Sequence, residues 1–386
     1  MYRVLASGLL AVVASAKRAP GSDGEGACLQ VASAFSVDTM DIGEPGEVVG
    51  LKVLKNKATG ESVDIAYTFG GKVDSVRLRS PVTGQVRELL LSSERNASRL
   101  LNVGWAVNEM LLPFANRISN GTYELDGATY YMERNNRMPS ADNAIHGFLK
   151  GKSMQVKKER RCADHASVTL AYDFNNASDL QSQPQGYPFR LSAEVTYKLD
   201  AQGFSITTTV RNRAEQGGPL PFYMGMHPYF KVQNLSASSV VFDPCSGWNA
   251  IEVDEGMIPT RATTPFGGFR GEPVGGSLER PTRWDSGFKA TASSAECPEL
   301  KTEVYDPTVG DSSVLWLSPS FRWLQVFTGG VPLLGQVVAI EPMSGETDAF
   351  NNGQARELLL QAGESWQGTF GFRVAAPSDA ARRQGS

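Results

Sequence analysis

Histidine, cysteine and surplus positive charge are all scarce in this chain, and each scarcity removes a class of function. Lys and Arg number 37 against 41 Asp and Glu, a formal net charge of -4 over 386 residues. Binding phosphate backbones needs a clustered excess of cations. The one basic cluster, Lys157 to Arg161, is short and reads as a solvated strand end or loop, so no nucleic-acid partner is expected. The four cysteines, Cys28, Cys162, Cys245 and Cys297, form no CxxC pair and have no histidine at ligand spacing, which argues against zinc or another bound metal. Helical periodicity is nearly absent; Ala97 to Met110 alone invites a helical reading.

The first residues, MYRVLASGLLAVVASAKRAP, carry Arg3, an apolar core and small residues at Ala14, Ser15 and Ala16. This is the pattern of a secretory signal over residues 1–16, and its core of about 13 residues is too short to span a bilayer. Residues 17–47 are expected to be a flexible N-terminal segment and 376–386 a disordered tail. Export would permit up to two disulfides in any of three pairings. Sequons at Asn96, Asn120, Asn176 and Asn234 fit the same location, secreted or in the secretory-pathway lumen. The alternative is a cytoplasmic protein with a buried N-terminal segment.

What the chain has in quantity is strict alternation. From Phe189 to Leu199 the odd positions Phe189, Leu191, Ala193, Val195, Tyr197 and Leu199 are apolar or small, with polar residues between them. The turn DAQG (Asp200 to Gly203) follows, and Phe204, Ile206 and Val210 resume the pattern, which predicts a long antiparallel hairpin. Asn120-Gly121 and Asp126-Gly127 predict two further tight turns and a meander over Ala115 to Met132. Further strands are expected at Val63 to Phe69, Val73 to Leu78, Val86 to Leu91, Val168 to Phe174, Val314 to Leu317, Trp323 to Phe327 and Gly368 to Val374. No linker divides residues 48–375. The expected fold is all-β, one sandwich of large antiparallel sheets with few short helices and a glycine-rich loop at Gly267 to Ser277.

Two of the three histidines stand in chemically suggestive settings. His227 lies in YMGMHPYF with Pro228 forcing an extended backbone, and His146 precedes Gly147 in NAIHGF, whereas a surface loop explains His165. In VVAIEPMSGETDAFN an apolar run ends in Glu341, and Pro342 holds that residue in β geometry, so the acid is rigidly aimed. Partial burial would raise its pKa and strengthen it as a base.

Seven segments in order give these residues a frame: ANRI (Ala115 to Ile118), NAIHGF, HPYF (His227 to Phe230), PFGGFR (Pro265 to Arg270), WDSGF (Trp284 to Phe288), LQVFTGG (Leu324 to Gly330) and AIEPMSGETDAFN. Together, from about Val49 to Val374, they resemble the aldose 1-epimerase (galactose mutarotase) family. The resemblance implies a β-supersandwich without a cofactor, a monosaccharide substrate, Glu341 as general base and His227 as general acid. It further implies that His146, Arg117, Asp285 and Gln325 bind sugar hydroxyls, with Asn116 as a neighbour. Two departures are visible: one glycine follows His146 where many relatives have two, and WDSGF lacks the histidine often found after the aspartate. The Gly345 to Asp348 loop is expected to shape specificity.

The chemistry matches the residues. Interconverting the anomers of an aldose requires removing the O1 proton while protonating the ring oxygen, then reclosing on the other face of C1. A carboxylate and an imidazole can each reverse role without metal or covalent intermediate. Arg, Asp and Gln suit the hydroxyls, and Tyr229 or Trp284 would supply an aromatic wall. The alternatives are a hexose-6-phosphate 1-epimerase, for which Lys231, Arg117, Arg270 and Arg283 would hold the phosphate, and a non-catalytic carbohydrate-binding protein. The sequence leaves a monomer or homodimer open.

Overall fold

The computed structural model describes residues 33–104, 106–174, 186–214, 218–266, 269–274, 284–328, 336–353 and 358–382. The proposed signal segment lies outside them. Within them the chain is almost wholly antiparallel β. A nine-stranded sheet runs in the order Gln155–Arg161, His165–Phe174, Leu191–Asp200, Gly203–Asn212, Ser365–Ala375, Ser312–Leu317, Leu300–Tyr305, Ser239–Phe242 and Arg270–Pro273. Its middle is the hairpin foreseen from alternation: Asp200 pairs with Gly203, and Leu191, Ala193, Val195, Tyr197 and Leu199 are fully buried while Glu194 is exposed.

An eight-stranded sheet carries the candidate chemistry. It runs through Pro259–Pro265, Trp248–Val253, Asp285–Ala290, Trp323–Phe327, Val337–Met343, Gly225–Met226 and Met110–Leu111, with Tyr229–Lys231 also paired to Val337–Met343. A five-stranded sheet, Phe35–Ile42 through Val86–Glu88, completes the larger layers. One apolar cluster joins all three, including Val63 and Val76, Tyr197 and Phe370, and Leu324 and Ile340. Across the two largest sheets Phe242 meets Phe288 edge-on at 5.4 Å and Phe230 meets Phe372 at 5.9 Å. Interdigitated aromatics of this kind fix how the site sheet sits on its partner.

Several expectations need correction. The segment 17–47 is not flexible throughout: Phe35–Ile42 pairs residue for residue with Val49–Asn56, and Phe35 and Val37 enter the core. In the tail, Asp379–Arg382 is a short helix. The helix read over Ala97 to Met110 stops at Asn102, where Val103 is extended and packs on a different apolar cluster from Ala97, Leu100 and Leu101. Ala106 and Asn108 beyond it have φ of 52° and 53°.

The Asp126-Gly127 hairpin is present, joining Thr122–Leu125 to Ala128–Tyr131. Asn120-Gly121 also turns tightly, with φ of 52° and 60°, but joins no hairpin: Arg117–Ile118 pairs instead with Asp142–Ile145. That exchange brings Arg117 beside the His146 segment. Of the glycine-rich loop, Arg270–Pro273 is a strand, and residues 267, 268 and 275–277 lie outside the described set. Cys245 is bonded to Cys297, and Cys162 is likewise in a disulfide. No helix among the described residues is long and apolar enough to cross a membrane.

Candidate functional site

Register places the site. Gln325 stands opposite Glu341, and Phe327 stands opposite Asp285, on the adjoining strands Asp285–Ala290, Trp323–Phe327 and Val337–Met343. Paired residues share a face, as do residues two apart in a strand. Asp285, Gln325, Phe327 and Glu341 therefore project from one face. Gly287, opposite Gln325, leaves that face open: a Cβ there would come 3.3 Å from Gln325 Oε1.

His227 arrives from the break between Gly225–Met226 and Tyr229–Lys231, both paired to the Glu341 strand. Its backbone is clamped at both ends, the N–H donating to the Glu109 carbonyl at 3.1 Å and the carbonyl accepting from Asn108 at 2.9 Å. The ring lies 4.7 Å from Tyr229, parallel within 4°. This leaves Nε2 at 3.3 Å from Glu341 Oε1. His146 completes a cluster with these two, its ring centroid 5.3 Å from that of His227. His146 and Gly147 both have positive φ, 67° and 66°, and the His146 N–H donates to the Asn116 carbonyl. A side chain at Gly147 would strike the Leu112 carbonyl at 2.1 Å, so glycine is required there.

Arg117 is held on three sides. Its guanidinium donates to Asn136 Oδ1 at 3.1 Å, to Asn116 Oδ1 at 3.2 Å and to Asp285 Oδ2 at 3.4 Å. Asp285 also accepts from the Gln325 amide at 2.6 Å. Asn116, Arg117, His146, His227, Asp285 and Glu341 thus line one cavity of about 300 Å³. That is near the lower end of ligand pockets, roughly 300–1,000 Å³. Gln325 stands behind Asp285 and orients it rather than lining the cavity. The aromatic wall is Phe327, not Tyr229 or Trp284. Tyr229 is buried under His227, and Trp284 packs on Phe269 at 4.8 Å.

The floor is nearly dry. Glu341 is 2% exposed and His227 6%, and Glu341 Oε2 and His146 Nδ1 are buried without a hydrogen-bond partner in the protein. Burial pushes the Glu341 carboxyl well above the usual carboxylate range; Asp285 adds to the rise and Arg117 opposes it. Burial also lowers the His227 imidazole to about 3 and drives His146 well below the ordinary histidine value, with His227 and Arg117 adding to the fall. Burial therefore favours a neutral carboxyl beside a neutral imidazole, one proton shared by two groups in contact.

Phe327, Glu109 and Lys150 are among the wall residues that escaped sequence reasoning. Phe327 was inside LQVFTGG, and alternation with Gln325 would have put it on the same face. Glu109 and Lys150, an ion pair of 2.9 Å at the cavity edge, come from distant segments with no motif to connect them. The Gly345 to Asp348 loop folds under the site: Asp348 donates its N–H to the Arg117 carbonyl and its carboxylate accepts from Ser119 N. It braces the Arg117 strand and does not line the cavity. Lys231 is exposed and away from the cavity; Arg283 and the Arg270 side chain lie outside the described set.

Comparison with known proteins gives the fold and the family. The family profile described as aldose 1-epimerase matches residues 52–373. The Escherichia coli K12 protein YihR, itself uncharacterised, is 28% identical over 273 residues, 67% of this chain and 76% of YihR. Galactose mutarotase from Sus scrofa is 30% identical over 157 residues, 40% of this chain and 41% of that protein; the chain thus matches about two fifths of that relative's length. Among solved structures, a galactose mutarotase-like protein from Clostridium acetobutylicum superposes with a TM-score of 0.68 at 19% identity, over 88% of this chain and 99% of that one. Galactose 1-epimerase from Lactobacillus acidophilus gives 0.66 at 14% identity, covering 89% and 100%. These likenesses show the fold, and with the family match over most of the chain they establish that this protein belongs to the aldose 1-epimerase family.

Proposed function

We propose that the protein interconverts the α and β anomers of a free aldose of the galactose or glucose type, with Glu341 as base and His227 as acid. The observation that carries this is the 3.3 Å contact between Glu341 and His227 on the floor of a cavity sized for one sugar ring. O1 and the ring oxygen are bonded to the same carbon, so the groups serving them must be neighbours. Burial makes the Glu341 carboxylate a stronger base and the His227 imidazolium a stronger acid than either would be in water.

When the shared proton sits on His227, Glu341 accepts the O1 proton as His227 protonates the ring oxygen, and the C1 bond to that oxygen opens. Rotation about the C1–C2 bond presents the other carbonyl face, and the reverse transfers close the ring. Arg117, Asp285 and His146 hold hydroxyls, and Phe327 covers the C–H face. Among the described residues both cations lining the cavity are already paired, Arg117 with Asp285 and Lys150 with Glu109. This supports a neutral sugar over a phosphorylated one. The test is polarimetry of freshly dissolved α-galactose and α-glucose, alongside their 6-phosphates.

We further propose that the protein is exported. The N-terminal pattern and the Cys245–Cys297 disulfide support this. Mass spectrometry of protein from the native host is expected to find an N-terminus near Lys17; Met1 or Tyr2 there would overturn it.

A further inference from the structure

The cavity that holds Glu341 and His227 adjoins a second hollow of about 1090 Å³, and the two share Asn135, Ile145, Gly147 and Lys150. Asn135 and Lys150 are exposed, so the shared boundary is an open rim. Asn135 is fixed there, donating to the Ile145 carbonyl at 3.2 Å and accepting from the Ile145 N–H at 2.8 Å.

Beyond the rim stand Tyr131, Arg134 and Lys152. Tyr131 is 68% exposed, and its strand is pinned by pairing of Tyr131 with Thr122 and by the Met132 N–H donating to Gly121 at 2.7 Å. A lone exposed aromatic is ordinary. One held on a paired strand beside a cavity, with two cationic donors lining the same hollow, makes a preorganised surface for a ring with a C–H face and hydroxyl edges. Among the described residues Glu133 is the sole acid in that wall.

We propose that this second hollow is a subsite for the next sugar residue of a reducing oligosaccharide whose reducing ring lies over Glu341 and His227. The inference rests on the mutarotase reading and deepens it. In a pyranose, C4 lies across the ring from C1. With C1 held on the buried floor, a substituent on O4 leaves towards the rim and meets Tyr131. Only the reducing-end anomeric centre reacts; the glycosidic bond between the residues is untouched.

The experiment compares α-glucose with maltose, its 4-O-glucosyl derivative, by polarimetric mutarotation and by calorimetric binding. The expected result is a kcat/KM for maltose roughly 3- to 10-fold above that for glucose, carried in KM, the scale of one aromatic contact. Tyr131→Ala is expected to abolish that advantage in both rate and affinity while leaving the glucose values unchanged. Maltose handled no better than glucose, or Tyr131→Ala lowering both sugars equally, would overturn the subsite and leave the proposed activity standing. Failure to turn over or bind either sugar would overturn both.

Discussion

His227 Nε2 and Glu341 Oε1 face each other at 3.3 Å, and each side chain is almost fully removed from solvent. Desolvation acts on both in the direction of neutrality, so the pair stores one proton that can reside on either group. Removing His227 should cost what a general acid contributes. His227→Ala is expected to lower kcat by roughly 10²-fold or more; polarimetry of the anomer the wild-type protein prefers reads this directly.

The pH profile should carry the same mark. Because burial lowers His227 to about 3, the free protein does not gain a second proton near the ordinary histidine value. The expected kcat/KM, corrected for spontaneous mutarotation, is flat from pH 7 down to about 5. An acid limb centred near 6.5 would show instead that His227 titrates as an ordinary imidazole.

Stability should reveal the pair as well. Above its unfolded value of 4.5 the folded Glu341 keeps a proton that the unfolded chain releases, so its contribution falls as pH rises. Below 6.5 the unfolded His227 binds a proton that the folded one refuses, so its contribution rises with pH. Between those values the two oppose each other. Glu341→Gln removes the first, and urea unfolding of that variant should gain stability more steeply than wild type as pH rises above 4.5.

Gly147→Ala is expected to lose 2 kcal/mol or more, roughly, in urea unfolding, because a methyl group meets the Leu112 carbonyl at 2.1 Å in a left-handed backbone. Since Gly147 also sets the approach of His146, KM should rise in whatever fraction folds.

Phe327→Ala is expected to raise KM several-fold, roughly, with kcat little changed, since the ring offers the sugar contact area but no proton. Tyr229→Phe should leave KM unaltered, because that ring is covered by His227. Initial-rate polarimetry over a range of sugar concentrations separates the two.

Much of this was legible in the chain because period-two alternation is a direct image of a half-buried strand. The hairpin from Leu191 to Asn212 and the strand delivering Glu341 needed nothing else. The site residues came from segments in a characteristic order, and six of them line one cavity. What stayed hidden depended on pairings between distant segments. Arg117 reaches the site because its short strand joins Asp142–Ile145 rather than the adjacent hairpin, and the Glu109–Lys150 ion pair joins two loops with no shared pattern. Gln325 was assigned to sugar on its motif, yet its cross-strand position turns its amide to Asp285. The N-terminal strand Phe35–Ile42 was missed because its polar half, Asp38 to Asp41, masks the alternation.

The most direct test of the central claim is Glu341→Gln, which keeps the shape of the side chain and removes the base. With the fold checked by circular dichroism, the variant is expected to show no enzymatic acceleration of α-galactose or α-glucose mutarotation under conditions where the wild-type protein brings the optical rotation rapidly to equilibrium. A folded Glu341→Gln protein with undiminished acceleration would contradict the account.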